Sequence, residues 1–160
     1  MPLLHPGDAF PKLTVTPAGA EPLVLPDTFA GRFGVVLFYR GSWCPYCNAQ
    51  LRGFERSLPD LDELGVGVVA MSVDDEMTTR ATVDRHRLSF PVGYGADARM
   101  VSEVTGAFVN DDPLHLQSTG FVLDPSGRVL VSVYSSAAIG RLVPDDVIGL
   151  VRYVRDHAAA

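Results

Sequence analysis

The sequence predicts an α/β fold with a mixed central sheet flanked by helices and an irregular β-hairpin ahead of it. Three observations predict this. Two continuously apolar runs, residues 35–39 and 66–73, have the composition of strands buried on both faces. Stretches of helical periodicity follow them, which is the strand–helix–strand alternation of a parallel sheet. Late in the chain, two strand-like runs flank Pro125-Ser126-Gly127, a turn signal that joins antiparallel strands.

In chain order, residues 12–25 read as the hairpin, broken by Pro17-Ala18-Gly19. A strand over residues 34–39 leads into a helix over residues 44–58. Pro59 ends or kinks that helix, a further turn runs to Leu64, and Gly65 closes it. After the strand at residues 66–73, Asp74-Asp75-Glu76 opens a helix reaching His86, its acidic residues in the first turn. Phe90-Pro91-Val92 is a short strand, and Asp97 caps a short helix that stops at Gly106. Residues 119–124 and 128–134 are the late strands. Pro144 sits at the first position of a last helix, with Val147, Leu150, Val151 and Val154 on one face.

With 160 residues and 47% apolar content, the chain can bury a core without staples, and no linker or repeat divides it, so residues 1–160 are expected to form one domain. A formal charge of −6 and the lack of a Lys/Arg cluster argue against a nucleic-acid partner. No apolar run approaches membrane-spanning length, so no membrane partner is expected. The start Met1-Pro2-Leu3-Leu4-His5-Pro6 has neither a basic n-region nor a long apolar stretch. With two cysteines and no export signal, a reducing cytoplasm is the expected compartment.

Both cysteines stand in Trp43-Cys44-Pro45-Tyr46-Cys47, where the first apolar strand ends and a helix begins. A helix N-terminus carries roughly half a positive charge and unpaired N–H groups, which favour a thiolate over a thiol. A second sulfur one turn away can attack a mixed disulfide or sulfenic acid formed on the first. At about 100° per residue, Cys47, Leu51, Phe54, Leu58 and Leu61 share one face, whereas Cys44 lies roughly 60° off that line. Cys44 is therefore expected to be the more exposed, helix-stabilised nucleophile and Cys47 its shielded partner. Pro45 suits a first turn that has no acceptor to lose.

Other readings of the pair fare worse. A structural disulfide closing so short a loop contributes on the order of 2 kcal/mol before strain. A zinc site needs further ligands, and His5, His86, His115 and His157 are not in metal-ligand spacing. No metal or organic cofactor is expected. His86, between Arg85 and Arg87, reads as solvated, and His115 as part of a turn-rich loop. Trp43 is either a core or rim aromatic or a contact for substrate beside Cys44. Arg40 either stabilises a thiolate from the end of the strand or forms a surface salt bridge.

Pro6-Gly7-Asp8-Ala9-Phe10-Pro11, residues 35–40, the cysteine pair, residues 68–74, Phe90-Pro91-Val92 and residues 120–127 together resemble the peroxiredoxin family, in its alkyl hydroperoxide reductase/thiol-specific antioxidant branch. The order and spacing match over residues 6–157. The resemblance implies a thioredoxin-like fold, an external thiol reductant of thioredoxin or glutathione type, and a homodimer as a candidate assembly. The Trp-Cys-x-x-Cys stretch also resembles thioredoxin, and Cys44-Pro45-Tyr46-Cys47 carries the dipeptide of glutaredoxins.

The active-site pattern departs from that family. Its Pro-x-x-x-Thr/Ser-x-x-Cys segment would place the peroxidatic cysteine on Cys47, the Thr on Cys44 and the Pro on Arg40. The family's arginine at the start of a late strand falls on Ser118, next to Thr119. Family matching thus assigns first attack to Cys47, and helix geometry assigns it to Cys44; the geometry is preferred here, because the family's reason includes the missing Thr and Arg. The expected activity is a Cys44/Cys47 dithiol–disulfide cycle reducing peroxides. Arg40, Trp43, Pro45, Tyr46, Ser118 and Thr119 are the expected substrate contacts. The alternatives are a thioredoxin- or glutaredoxin-like disulfide reductase and a redox-sensing binding module.

Overall fold

A computed structural model describes residues 2–158. At its centre is a five-stranded sheet of order β5-β4-β3-β8-β9. β3 (Phe33–Phe38), β4 (Val66–Met71) and β5 (Val92–Gly93) run parallel. β8 (Thr119–Leu123) is antiparallel to β3, and β9 (Val129–Tyr134) is antiparallel to β8. The expected mixed sheet is present, and the N-terminal hairpin is a separate two-stranded sheet of β1 (Leu13–Val15) and β2 (Leu23–Leu25).

β3 is buried along its whole length because both of its faces are covered. Val35, Leu37 and, just beyond the strand, Tyr39 face one core with Leu51 and Phe54 of α1 (Pro45–Arg56), Leu61 of α2 (Leu58–Glu63), and Val147, Ile148 and Val151 of α5 (Pro144–Ala158). Val36 and Phe38 face the other core, with Leu13, Leu25, Phe121, and Ala98 and Val101 of α4 (Ala98–Thr105). The period-2 alternation of the strand thus divides the apolar residues between two layers. Phe29, in a 3-10 turn after β2, lies over the sheet where it has no side chains. Gly34 and Gly67 are register partners, and a Cβ on either would meet the Phe29 ring, at 2.3 and 2.9 Å respectively.

The caps form where the sequence places them. Asp75 Oδ1 accepts from the Thr78 N–H at 2.8 Å to start α3 (Glu76–His86), and Asp97 Oδ1 accepts from Met100 to start α4. Asp124 Oδ1 accepts from the N–H groups of Ser126 and Arg128, which closes the β8–β9 turn. The long helix does break near Pro59: α1 stops at Arg56, and Pro59 lies in the first turn of α2, where a missing N–H costs nothing.

Two expectations are corrected. The apolar run at residues 66–73 is strand only to Met71, because Ser72 Oγ accepts from the Asp74 N–H and turns the chain out of the sheet. The turn-rich loop around His115 is a β-ribbon, β6 (Val109–Asp111) paired with β7 (Leu114–Leu116). Its strands are too short to show periodicity. No helix among the described residues is long and apolar enough to cross a membrane.

Candidate active site

The start of α1, which follows β3 in the chain, carries both sulfurs. Cys44 is the N-cap of α1, with extended φ/ψ of −92° and 113°, and its Sγ accepts from the Cys47 N–H at 3.3 Å. Pro45 follows in the first helical turn. Cys47, one turn on, accepts from the Arg40 N–H at 3.3 Å. Both cysteines are free.

The structure corrects the expected difference in exposure. Cys44 is as buried as Cys47, at 1% and 0% exposed. Helix geometry could not show this, because the cover comes from elsewhere: Leu142, after β9, packs in the same cluster, and Arg141 reaches both sulfurs. The two thiols nonetheless differ electrostatically in the expected sense. Burial pushes the Cys44 thiol up, but the side-chain and backbone hydrogen bonds with Cys47 and the Arg141 and Arg40 guanidiniums outweigh it, so the thiol is held below its ordinary value. Burial and the hydrogen bond with Cys44 push the Cys47 thiol up.

Arg40 belongs to the site and makes no salt bridge among the described residues. Its Nη1 lies 4.0 Å from Cys44 Sγ, its Nε donates to Gln117 Oε1 at 3.0 Å, and its guanidinium sits 4.9 Å from the centre of the Trp43 ring. Trp43 also meets His115 edge-on, at 5.1 Å between centroids. It approaches Gly41 so closely that a Cβ there would lie 2.3 Å from the indole nitrogen. His115 is buried; its Nδ1 donates to the Pro113 carbonyl at 2.9 Å, and burial holds the imidazole below its ordinary value. Trp43 and Tyr46, flanking Cys44 and Pro45 in the chain, are each 54% exposed.

Ser118 lies in the site and Thr119 turns away from it. Ser118 Oγ accepts from Arg141 Nη1 at 2.8 Å. The Thr119 hydroxyl donates to the Gln117 carbonyl, and Thr119 stands on the same strand face as Phe121, which packs in the core opposite the cysteines. His86 is far from this cluster in the chain and half-buried, where Arg52 donates to its Nδ1.

Sequence reasoning missed Arg141, Gln50 and Gln117. Arg141 Nη2 lies 3.2 Å from Cys47 Sγ and 3.5 Å from Cys44 Sγ. Its Nη1 also donates to Gln50 Oε1 at 3.2 Å, and its Nε and Nη2 donate to the Ala138 carbonyl. Gln50 in turn donates to the Leu142 carbonyl, which ties the segment between β9 and α5 to α1. A groove of about 340 Å³ runs outward from Arg141 between Tyr46, Gly53, Leu142 and Pro144. The arrangement supplies a dithiol, one sulfur of which is held toward the thiolate, together with two guanidiniums for charge developing at the sulfurs. Among the described residues, no group of three or more His, Cys, Asp or Glu side chains is placed to hold a metal ion.

Comparison with known proteins adds the following. The model of the AhpC/TSA family matches residues 6–132. A peroxiredoxin of Methanothermobacter thermautotrophicus is 27% identical over 97% of this chain and 74% of its own length. A putative peroxiredoxin of Mycobacterium tuberculosis is 30% identical over 87% of this chain and 90% of its own. Among solved structures, peroxidoxin BcpB from Mycobacterium tuberculosis superposes with a TM-score of 0.81 over 95% of this chain and 99% of that one, at 18% identity. Peroxiredoxin 6 of Arenicola marina gives 0.84 over 97% of this chain and 75% of that one, at 16% identity. These structural likenesses establish the thioredoxin-like fold.

Proposed function

This chain belongs to the AhpC/TSA family and is a thiol-dependent oxidoreductase that reduces peroxides, and within that activity we propose that Cys44 attacks and Cys47 resolves. The observation that carries this assignment is the helix start itself: the Cys47 N–H and two guanidiniums are directed at Cys44 Sγ. The Cys44 thiolate attacks the peroxide, the O–O bond breaks, and a sulfenic acid forms on Cys44. Cys47 then displaces the sulfenic oxygen as water and closes the disulfide. An external thiol of thioredoxin or glutathione type restores the dithiol, and a reducing cytoplasm is the compartment that suits such a cycle.

Arg40 holds charge near Cys44 while stacked on Trp43, and the half-exposed Trp43 and Tyr46 form the rim that substrate meets first. The same rim supports a second reading, reduction of protein disulfides, because the Trp-Cys-Pro-Tyr-Cys stretch presents two aromatic side chains to a partner.

Turnover with hydrogen peroxide, an alkyl hydroperoxide and a disulfide-bonded protein, measured with one common reductant, decides between the two. Cys44→Ser should abolish peroxide consumption. Cys47→Ser should consume one equivalent and leave a sulfenic acid on Cys44. Loss of the first equivalent in Cys47→Ser, with retention in Cys44→Ser, would reverse the assignment.

A further inference from the structure

The strongest unassigned feature of the site is the guanidinium that touches both sulfurs. Arg141 lies between β9 and α5, and its Nη2 is 3.2 Å from Cys47 Sγ and 3.5 Å from Cys44 Sγ. Arg40 is different: its side chain reaches Cys44 alone, at 4.0 Å, and Cys47 receives only its backbone N–H. Arg141 is also fixed in place. Ser118 Oγ, Gln50 Oε1 and the Ala138 carbonyl occupy its remaining donors. No carboxylate is paired with it among the described salt bridges, so its charge is available to the sulfurs.

We infer that Arg141 serves both halves of the catalytic cycle, stabilising the Cys44 thiolate for attack and then, without moving, the Cys47 thiolate for resolution. The inference rests on the peroxide-reducing dithiol reading above. It follows from where the negative charge goes. In the first half, the Cys44 thiolate forms an S–O bond to the hydroperoxide and the O–O bond breaks. The departing alkoxide takes up a proton and leaves as an alcohol, or as water when the substrate is hydrogen peroxide. Cys44 is now a neutral sulfenic acid, and the guanidinium beside it has lost its counter-charge.

The second half needs a thiolate on Cys47, which burial makes expensive. Arg141 Nη2 is already in contact with that sulfur. The Cys47 thiolate attacks Cys44 Sγ, the S–S bond forms, and the S–O bond breaks. The departing hydroxide combines with the proton that Cys47 gave up. The sum is two thiols and one hydroperoxide giving one disulfide, one alcohol and one water. A cation that touched only the attacking sulfur would help the first half and leave the second unassisted.

The test separates the two halves. One equivalent of hydroperoxide is added to the reduced protein. Sulfenic acid on Cys44 is followed as its dimedone adduct by mass spectrometry, and disulfide is followed by thiol counting. Arg141→Met should slow both steps by about 10-fold or more, so that the sulfenic acid becomes trappable. Arg141→Lys should fall between, since it keeps the charge and loses the fork.

A second measurement needs no peroxide. In the Cys44→Ser background, Arg141→Met should move the midpoint of Cys47 alkylation to higher pH. Should Arg141→Met fail to fold, Ser118→Ala keeps the guanidinium and loosens its seat; both rates should then fall together, by a smaller factor. Slower attack with unchanged resolution and an unchanged Cys47 alkylation midpoint would overturn the inference, as would no change in either rate. If the unmodified protein forms no sulfenic acid with any hydroperoxide, the peroxidase reading fails first, whereas a shifted Cys47 midpoint would still place Arg141 on that thiol.

Discussion

Ser118 Oγ accepts a hydrogen bond from Arg141 Nη1 at 2.8 Å, across 23 residues of chain. Ser118 precedes β8, where the resemblance to peroxiredoxins would place an arginine, and its hydroxyl instead meets an arginine from the segment between β9 and α5. The guanidinium beside the sulfurs is thus attached to a different segment from the one that resemblance would suggest.

The pair should form an intramolecular disulfide. Residues i and i+3 at a helix start bring Cα atoms within disulfide range, and Cys44 Sγ already touches the Cys47 N–H. Peptide mapping after one equivalent of peroxide should recover a Cys44–Cys47 crosslink that dithiothreitol removes. Two free thiols, or only intermolecular bridges, would end the proposed cycle.

Alkylation of the reduced protein should label Cys44 first. Its thiol is held below the ordinary value and that of Cys47 above it, so as pH rises Cys44 ionises before Cys47. The attack rate should therefore reach its plateau below the usual cysteine range, about pH 8.5, while resolution continues to accelerate above it. Because both sulfurs are buried, labelling of each should also be slow relative to a free thiol. Preferential modification of Cys47 at mildly acidic pH would favour the peroxiredoxin-type order of attack.

Arg40→Met should slow peroxide reduction by about 10-fold while leaving the fold intact. The guanidinium lies 4.0 Å from Cys44 Sγ, and its backbone N–H, which serves Cys47, survives the substitution. The aliphatic side chain can still lie on Trp43, so a large fall in melting temperature is not expected. A peroxidase rate equal to that of the unmodified protein would confine Arg40 to packing against Trp43 and Gln117.

Much of this site is written locally, and the rest is not. The strand and the Cys-x-x-Cys helix start follow from residues 35–58, because capping and helical periodicity act over one or two turns, whereas the lowered Cys44 thiol also depends on Arg141. Arg141 was invisible because its segment, residues 135–143, has no period and its partners Gln50 and Ser118 are distant in sequence. The same long-range cover explains why Cys44 is buried although its helical angle points off the apolar face. Phe29 shows the converse. Gly34 and Gly67 are unremarked in the sequence until the register pairs them and leaves room for a ring.

Gly34→Ala should destabilise the protein. A Cβ at Gly34 would lie 2.3 Å from the Phe29 ring, closer than packing allows, so the ring and its 3-10 turn must shift. Overpacking of this kind costs about 1–3 kcal/mol. Phe29→Ala removes the ring and should cost about 3–5 kcal/mol by itself. The double variant should lose less than the sum, because the clash goes with the ring. Chemical denaturation of the reduced protein reads all three, and additive losses would mean that the two positions do not touch.

Exchanging Ser118 and Arg141 tests whether the guanidinium or its point of attachment matters. Ser118→Arg alone should lower the peroxidase rate, because it deletes the hydroxyl that seats Arg141 and sets a second cation beside the first. Arg141→Ser alone should lower it further by withdrawing the contacts at 3.2 and 3.5 Å to the two sulfurs. The double substitution returns one arginine to the site from the start of β8, with a small hydroxyl opposite, and should recover activity above either single variant. Gln50 remains to accept from the transplanted side chain, as it does from Arg141. Rates for the attack step, measured for the four proteins under one set of conditions, give the coupling directly. Recovery would show that the site needs a guanidinium and tolerates its delivery from either element. A double variant as slow as Arg141→Ser would mean that the segment between β9 and α5 is itself required to bring the charge to the sulfurs.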